Sequence, residues 1–369
     1  MSAPRVRVAL DVTPLLGART GVGAFTVGLL GSLAARSDVE VTGFAVTWRG
    51  RHELAAMLPD AVAAARAPMA ARPLRWAWRR WNGPPIEWWT GAADVVHGTN
   101  FVVPPARRAA EVVTVHDLTP MRFPELAQPA TLAYEGLIRG ALARGAWVHT
   151  VSASVAAEVV DHFGTDRVVT VHQGVPPVVP AEPDRRVAGG APYVLTVGTV
   201  EPRKDHPALV RAFDAVAAQD RDICLVIAGP DGWGADQLKA AIAAARHRDR
   251  IVRVGYVDDR ERAALVRGAR VFAFPSRYEG FGLPPLEAMT AGVPVVATRA
   301  GALPEVLDGA ATLVPVGDDD ALAAALDGAL HDDALRSRLV EAGLTRVGNF
   351  SWERCADGLV ALYRRAMDA

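Results

Sequence analysis

Two glutamates eight residues apart, Glu279 and Glu287, flank Gly280, Phe281, Gly282 and Leu283 in the stretch PSRYEGFGLPPLEAMTAGVPVV. Pro284 and Pro285 suit the first turn of a helix, where a missing N–H costs no hydrogen bond. Small residues just ahead of such a start leave backbone N–H groups open to an anion. Glu287 then stands one turn into the helix, able to accept from a pair of neighbouring hydroxyls, while Glu279 approaches from the loop. A phosphate ligand that carries a sugar would use both acids. The alternative is an ordinary solvated Glu287, with glycines that serve only the turn.

A second constellation, GTVEPRKD, runs from Gly198 to Asp205 and follows an apolar strand pattern. Arg203 and Lys204 sit at the mouth of a helix that Asp205 can cap. Adjacent cations there can neutralise a diphosphate, the arginine through forked hydrogen bonds and the lysine as a point charge. A solvated turn is the usual fate of such a pair. Against it stands the basic composition: only Lys204 and Lys239 are lysines among 40 basic residues, so a lysine here is an exception.

Two further loops carry candidates. TPLLGARTGVGAF places Gly17, Gly21 and Gly23 ahead of the first helix, superficially like a dinucleotide fingerprint. Thr26 stands where that fingerprint needs Gly or Ala, and the loop is too long, which weighs against a nicotinamide oxidoreductase. A glycine loop facing a ligand cleft and a purely structural turn both remain open. In VTVHDLTP, His116 and Asp117 follow a strand; His116 can bond a ligand hydroxyl or a neighbouring loop.

These loops need rigid elements behind them. Short apolar runs at 6–12, 39–46, 94–97, 112–116, 147–151 and 167–171 alternate with helical patterns such as 23–35, 129–142 and 154–163. The alternation restarts with runs at 193–197, 223–228, 251–254, 271–274, 293–298 and 312–314. Such a pattern predicts parallel sheets covered on both faces, hence an α/β chain of two Rossmann-like, doubly wound domains. Between the halves, residues 176–192 are rich in Pro and Gly without periodicity, the composition of a surface connector. The expected layout is a first, acceptor-side domain over 1–178, a second, nucleotide-sugar-binding domain over 190–350, and a closing helix over 351–369 that packs back on the first. Ligands of such sheets sit at the carboxyl ends of strands, in a cleft that the two domains face.

Composition sets the class. With 369 residues, 50% hydrophobic, 22% charged and a net charge of −1, the chain suits two globular cores and excludes a disordered tail or a general nucleic-acid binder. Cys224 and Cys355 support neither a disulfide framework nor a zinc site. No basic and then apolar leader opens the sequence, and no apolar run reaches about 18 residues, so a cytoplasmic protein is expected.

Taken together, the motifs resemble the retaining glycosyltransferases of family 4, and the resemblance covers essentially the whole chain. It rests on TGVGAFT, DVVHGTN, TVHDLTPMRFPE, HTVSASVAAEVV, VHQGV, GTVEPRKD, AGPDG, GYVDDRERAALVRGARVFAFPSRYEGFGLPPLEAM and FSWERCADGLVALY. The resemblance implies the GT-B fold and a nucleotide-diphosphate sugar donor. It further implies that Glu287 holds the donor ribose and Glu279 the donor sugar, that Arg203 and Lys204 bind the diphosphate, and that Phe281, Gly282 and Leu283 offer backbone N–H groups. His116 would touch the sugar, and Gly21 with Gly23 would approach the phosphates. Asp205 departs from the family's frequent Asn, yet caps equally well. The form of GTVEPRKD resembles mannosyltransferases, which makes GDP-mannose the first guess for the donor.

The expected reaction is hexosyl transfer to a glycan or lipid-linked saccharide, with no metal or other cofactor, since Asp258, Asp259 and Asp318 to Asp320 read as helix caps. Alternatives are a sugar-nucleotide epimerase of the same architecture and a non-catalytic sugar-nucleotide-binding subunit. The stretch from Pro73 to Trp89 holds five of nine tryptophans among Arg75, Arg79 and Arg80. That mixture suits peripheral association with the inner face of a membrane, or else a helix with inward tryptophans and solvated arginines.

Overall fold

A computed structural model describes residues 5–16, 21–65, 67–127 and 131–369. The chain divides into two compact units, Met1–Gly174 with Phe350–Ala369, and Val175–Asn349.

The first unit is built on seven strands: β1 (Val6–Asp11), β2 (Val39–Phe44), β3 (Ala63–Ala64), β4 (Val95–Gly98), β5 (Ala110–Val115), β6 (Trp147–Thr150) and β7 (Val168–Thr170). All pair in parallel, in the order β3-β2-β1-β4-β5-β6-β7. Continuous β-branched runs form these strands because both faces are covered, so alternation would waste a face. Two-residue β3 carries no apolar run, and its sequence gives no strand signal. The helices at Gly21–Ala34 and Ala153–Phe163 cover the sheet. The helical pattern at 129–142 becomes a helix over Tyr134–Ala143, with residues 128–130 outside those described.

Helix Trp352–Met367 belongs to this first unit. Its apolar face, with Cys355, Leu359, Leu362 and Tyr363, joins the core formed by Val8, Leu10, Phe25 and Leu29. Gly28 marks the tightest approach, since a Cβ there would fall inside the Trp352 indole. The ends are tied by ion pairs from Arg364 to Asp38, 2.7 Å, and from Arg36 to Asp357.

A buried polar chain crosses the same core. The Nε2–H of His149 donates to the Val171 carbonyl at 2.9 Å, so its Nδ1 accepts from the Thr114 hydroxyl, also at 2.9 Å. Thr114 Oγ1 must then accept from His97 Nε2–H at 2.7 Å, and His97 Nδ1 accepts from Tyr363 O–H at 2.7 Å. Every donor and acceptor is used once, and only neutral rings allow that direction. Burial accordingly holds the His149 imidazole down to about 4 and pushes His97 and His116 the same way.

The second unit repeats the principle with β8 (Tyr193–Val197), β9 (Cys224–Ala228), β10 (Ile251–Gly255), β11 (Val271–Phe274), β12 (Val295–Thr298) and β13 (Thr312–Val314). All are parallel, ordered β10-β9-β8-β11-β12-β13. Of the aspartates read as caps two do cap, the Asp258 side chain accepting from the Glu261 N–H in a capping box and Asp318 from the Ala321 N–H, whereas Asp259, Asp319 and Asp320 lie in the first helical turns. Residues 176–192, read as a surface connector, pack on this unit: Asp184 N–H donates to the Ala264 carbonyl, Tyr193 O–H donates to the Asp184 carbonyl, and Ala188 is buried. Apart from a 3-10 turn at Arg186–Ala188 the segment is irregular, which is compatible with packing.

The neutral histidine chain fixes a pH response. Unfolded histidines bind protons near pH 6.5, whereas these three resist protonation until lower pH, so the folded state loses stability as pH falls below about 6.5 towards 4. Urea unfolding of the wild-type protein should show its midpoint falling across pH 6.5 to 4.5. His149→Gln should be less stable at neutral pH and show a shallower slope; an unchanged slope would refute the assignment.

Candidate functional site

Both sheets reverse their strand order beside their first strand, and in open parallel sheets ligands gather at the carboxyl ends of the strands flanking such a reversal. In the second unit those strands are β8 and β11. The loop after β8 supplies Gly198, Glu201, Arg203 and Lys204; the loop after β11 supplies Tyr278 and Glu279.

These side chains meet. Lys204 Nζ lies 2.6 Å from Glu279 Oε1, and Arg203 Nη1 lies 3.0 Å from the same oxygen. Arg203 also donates to the Tyr278 carbonyl at 3.0 Å and faces Glu201 at 3.4 Å. The lysine ammonium stands 4.6 Å above the Phe274 ring, a favourable cation–π placement. Side-chain exposures of 16, 13 and 9% for Arg203, Lys204 and Glu279 remove the solvated-turn reading. Gly198, at φ +156°, runs alongside the lysine stem.

Electrostatics follow from this burial. Burial raises the Glu279 carboxyl, but the attraction of Arg203 and Lys204 outweighs it and holds the group down to about 2. Burial lowers the Lys204 ammonium, against the pull of Glu279. Glu201 is raised by burial, with Arg203 and Lys204 opposing. Two cations and two acids thus share the cluster, and Glu279 is the acid the cations hold most firmly ionised.

Local backbone geometry supports the cluster. Arg277 N–H donates to the Arg203 carbonyl at 2.8 Å, which pins the two loops together. Ala302 N–H donates to the Glu279 carbonyl at 2.9 Å. Asp205 takes a left-handed φ of +46° and its side chain caps the helix His206–Ala217 through Ala208 N–H. Gly282 takes φ +104° as the residue before the helix Leu283–Thr290, which has prolines in its first turn. Phe281 and Leu283 are buried, and Gly280 joins them to Glu279.

Glu287 is on that helix and is not an ordinary solvated residue. Burial raises its carboxyl, and Arg262 Nε approaches to 3.5 Å. It lines a groove of about 450 Å³, counting its open mouth, with Arg262, Pro176, Pro177, Val179 and Thr290. The structure thus gathers Gly198, Arg203, Lys204 and Glu279 in direct contact. Glu287 stands on the helix that follows this loop and faces the groove.

His116, Gly21 and Gly23 belong to the first unit. His116 Nε2–H donates to the Thr99 carbonyl at 2.8 Å, and the ring packs edge-on against Phe25. Gly23 is buried against the Pro14 carbonyl, while a Cβ on Gly21 would meet nothing, so only Gly23 answers a packing demand. Gly17 lies outside the described residues.

Sequence reasoning missed several partners. Glu201 stands inside GTVEPRKD without being singled out. Arg262 was hidden in a charged helix pattern. Gly301, at φ +52°, lies under the Glu279 backbone, where any Cβ would strike the Glu279 carbonyl oxygen.

Comparison with known proteins adds to this geometry. Residues 181–346 match the model of glycosyl transferases group 1, and residues 19–178 match that of glycosyltransferase family 4. The chain is 33% identical over 282 residues to O-antigen chain mannosyltransferase B of Escherichia coli, covering 73% of this chain and 74% of that one. It is 47% identical over 115 residues to an MMP alpha-(1->4)-mannosyltransferase of Mycolicibacterium hassiacum, 30% of this chain and 28% of the relative. Among solved structures, a sucrose-phosphate synthase from Thermosynechococcus elongatus superposes with a TM-score of 0.75 at 21% identity, covering 98 and 99% of the two chains. Anabaena HepE in complex with UDP and glucose gives 0.72 at 16%, covering 97 and 99%.

The Gly301 contact yields a test that leaves every charged group in place. Gly301→Ala should shift the Glu279 loop and cost about 1–3 kcal/mol of stability through strain and overpacking. Thermal unfolding checks it; a variant as stable as the wild type would show that the loop is looser than described.

Proposed function

The chain belongs to the family 4, group 1 glycosyltransferases, and we propose that it transfers a hexose with retention of configuration from a nucleotide-diphosphate sugar, GDP-mannose first, to a glycan or lipid-linked saccharide. The mannosyltransferases among its relatives support the sugar. The observation that carries the reading is the buried Arg203–Lys204 pair closed on Glu279.

Breaking the anomeric C–O bond leaves positive charge on the sugar and adds negative charge to the diphosphate. Two fixed cations in a site of low exposure stabilise that leaving group without reorganising, the largest single effect available to most enzymes. The departing phosphate oxygen takes the acceptor's proton on the same face, which gives retention without an enzymatic nucleophile. Glu279, ionised between the cations, faces the sugar; Glu287 takes the ribose hydroxyls. The positive charge supplied by Arg203 and Lys204 does the work of a metal, so a metal-independent reaction is part of the proposal. The epimerase and idle-subunit readings find no matching observation.

A second reading concerns the acceptor side. On the helix Ala71–Trp81, Leu74 and Trp78 face inward, and Trp78 Nε1–H donates to the Pro84 carbonyl. Trp76, Trp81 and Trp88 are instead 52, 64 and 73% exposed, among Arg72, Arg75, Arg79 and Arg80. Exposed tryptophans mixed with arginines suit the interface of an anionic bilayer, which would bring the enzyme to a lipid-linked acceptor.

Lys204→Ala should lower kcat about a hundred- to a thousand-fold, measured as GDP release from GDP-mannose in the presence of acceptor and chelator. Near-normal turnover would overturn the leaving-group role, and activity that vanishes in chelator and returns with manganese would overturn metal independence. In flotation with anionic liposomes the wild-type protein should rise with the vesicles and the triple change W76S/W81S/W88S should not; a wild type that stays at the bottom removes the membrane reading.

A further inference from the structure

The first sheet has its own reversal point, between β1 and β4. Asp11 ends β1, Thr99 follows β4 and His116 follows β5, so the three sit side by side at the carboxyl edge. Their order is enforced by hydrogen bonds. Thr99 O–H donates to the Asp11 carbonyl at 2.7 Å, and His116 Nε2–H donates to the Thr99 carbonyl. Asp11 Oδ1 accepts from both the N–H and the hydroxyl of Thr13, at 2.8 and 2.5 Å.

What this edge offers a ligand is specific. Both bonds to the carboxylate fall on Oδ1, and among the described residues Oδ2 takes none. His116 uses Nε2–H as a donor, so its Nδ1 presents a lone pair. A fixed carboxylate oxygen and an imidazole nitrogen are both acceptors, which repel a diphosphate and fit the O–H groups of a polyhydroxyl ligand. The second unit supplies the cation clamp for the donor and His116 is expected at the donor sugar, so the acceptor atom left for the other substrate is Asp11 Oδ2.

We propose that Asp11 binds a hydroxyl of the acceptor saccharide at the carboxyl edge of the first sheet, through Oδ2, with Thr13 holding the carboxylate in place. The inference rests on the glycosyltransferase reading and names the residue that receives the acceptor. Only 5% of Asp11 is exposed. Burial lifts its carboxyl to about 6, with Thr13 opposing; a buried carboxylate with one oxygen unpaired gains a full charge-assisted hydrogen bond from an incoming O–H.

Asp11→Asn preserves shape and the bond from Thr13 N–H, but puts an NH2 donor where Oδ2 accepts. GDP-mannose is supplied as donor and a panel of octyl mannoside, glucoside and N-acetylglucosaminide as acceptors, using the one with the highest wild-type turnover. The variant should raise the acceptor KM about 10- to 100-fold, with the KM for GDP-mannose and the thermal shift produced by GDP unchanged. An unchanged acceptor KM would overturn this inference alone. No wild-type transfer from any nucleotide sugar to any acceptor would overturn the parent reading, and this one with it. Should the variant lose the GDP shift through misfolding, a structure of the wild-type protein with the octyl glycoside decides. An acceptor hydroxyl within about 3.2 Å of Asp11 Oδ2 supports the assignment, and a glycoside seated away from it refutes it.

Discussion

A carboxylate held between two cations in a nearly dry loop cluster is the arrangement on which the chemistry proposed for the second unit depends. Removing three charges from water is costly, and their mutual attraction recovers that cost only when the geometry is good. Here the geometry is set by backbone: the Arg277 N–H on the Arg203 carbonyl, the Ala302 N–H on the Glu279 carbonyl, and Gly301 beneath. Glu279 keeps Lys204 and Arg203 converged on one oxygen when no substrate is present. On the proposed function the cations are oriented before a diphosphate arrives, and preorganisation of this kind is what makes fixed charges effective in transition-state stabilisation.

The two units reach comparable sites by the same route. Each sheet changes direction beside its first strand, and each places polar side chains on the loops that follow the two flanking strands. The content differs. The second sheet offers cations balanced by acids, while the first offers acceptors, Asp11 and His116, backed by threonines and a neutral histidine chain. Architecture decides where ligands gather; loop chemistry decides which ligand.

Much of this was legible in the sequence because continuous β-branched runs such as VRVALD and YVLTV have few alternatives to a buried parallel strand. The acid pair, the Arg-Lys step and His116 stood out for residue type and position. What stayed hidden depended on tertiary contact. Glu201 and Arg262 look like solvated charges until burial is known, and Gly301 acts through a backbone 22 residues earlier in sequence. Asp11 reads as the polar end of a strand, and only the strand order reveals that it borders a reversal. Composition marked residues 176–192 as a surface connector but could not show that their backbone bonds to the second unit. Nor could composition decide the tryptophans: Trp78 is core and Trp76 is surface, two positions apart on one helix.

The return of helix Trp352–Met367 to the first unit has a consequence for how the molecule is made. A ribosome emits residues 175–349 before that helix, which at about 5–20 residues per second is a delay of roughly ten to forty seconds. During it the nascent first unit lacks the helix that covers Phe25 and Leu29 and closes the His97 hydrogen bond. The second unit, contiguous in sequence, can finish folding first. The first unit to be synthesised is thus the last whose chain is complete.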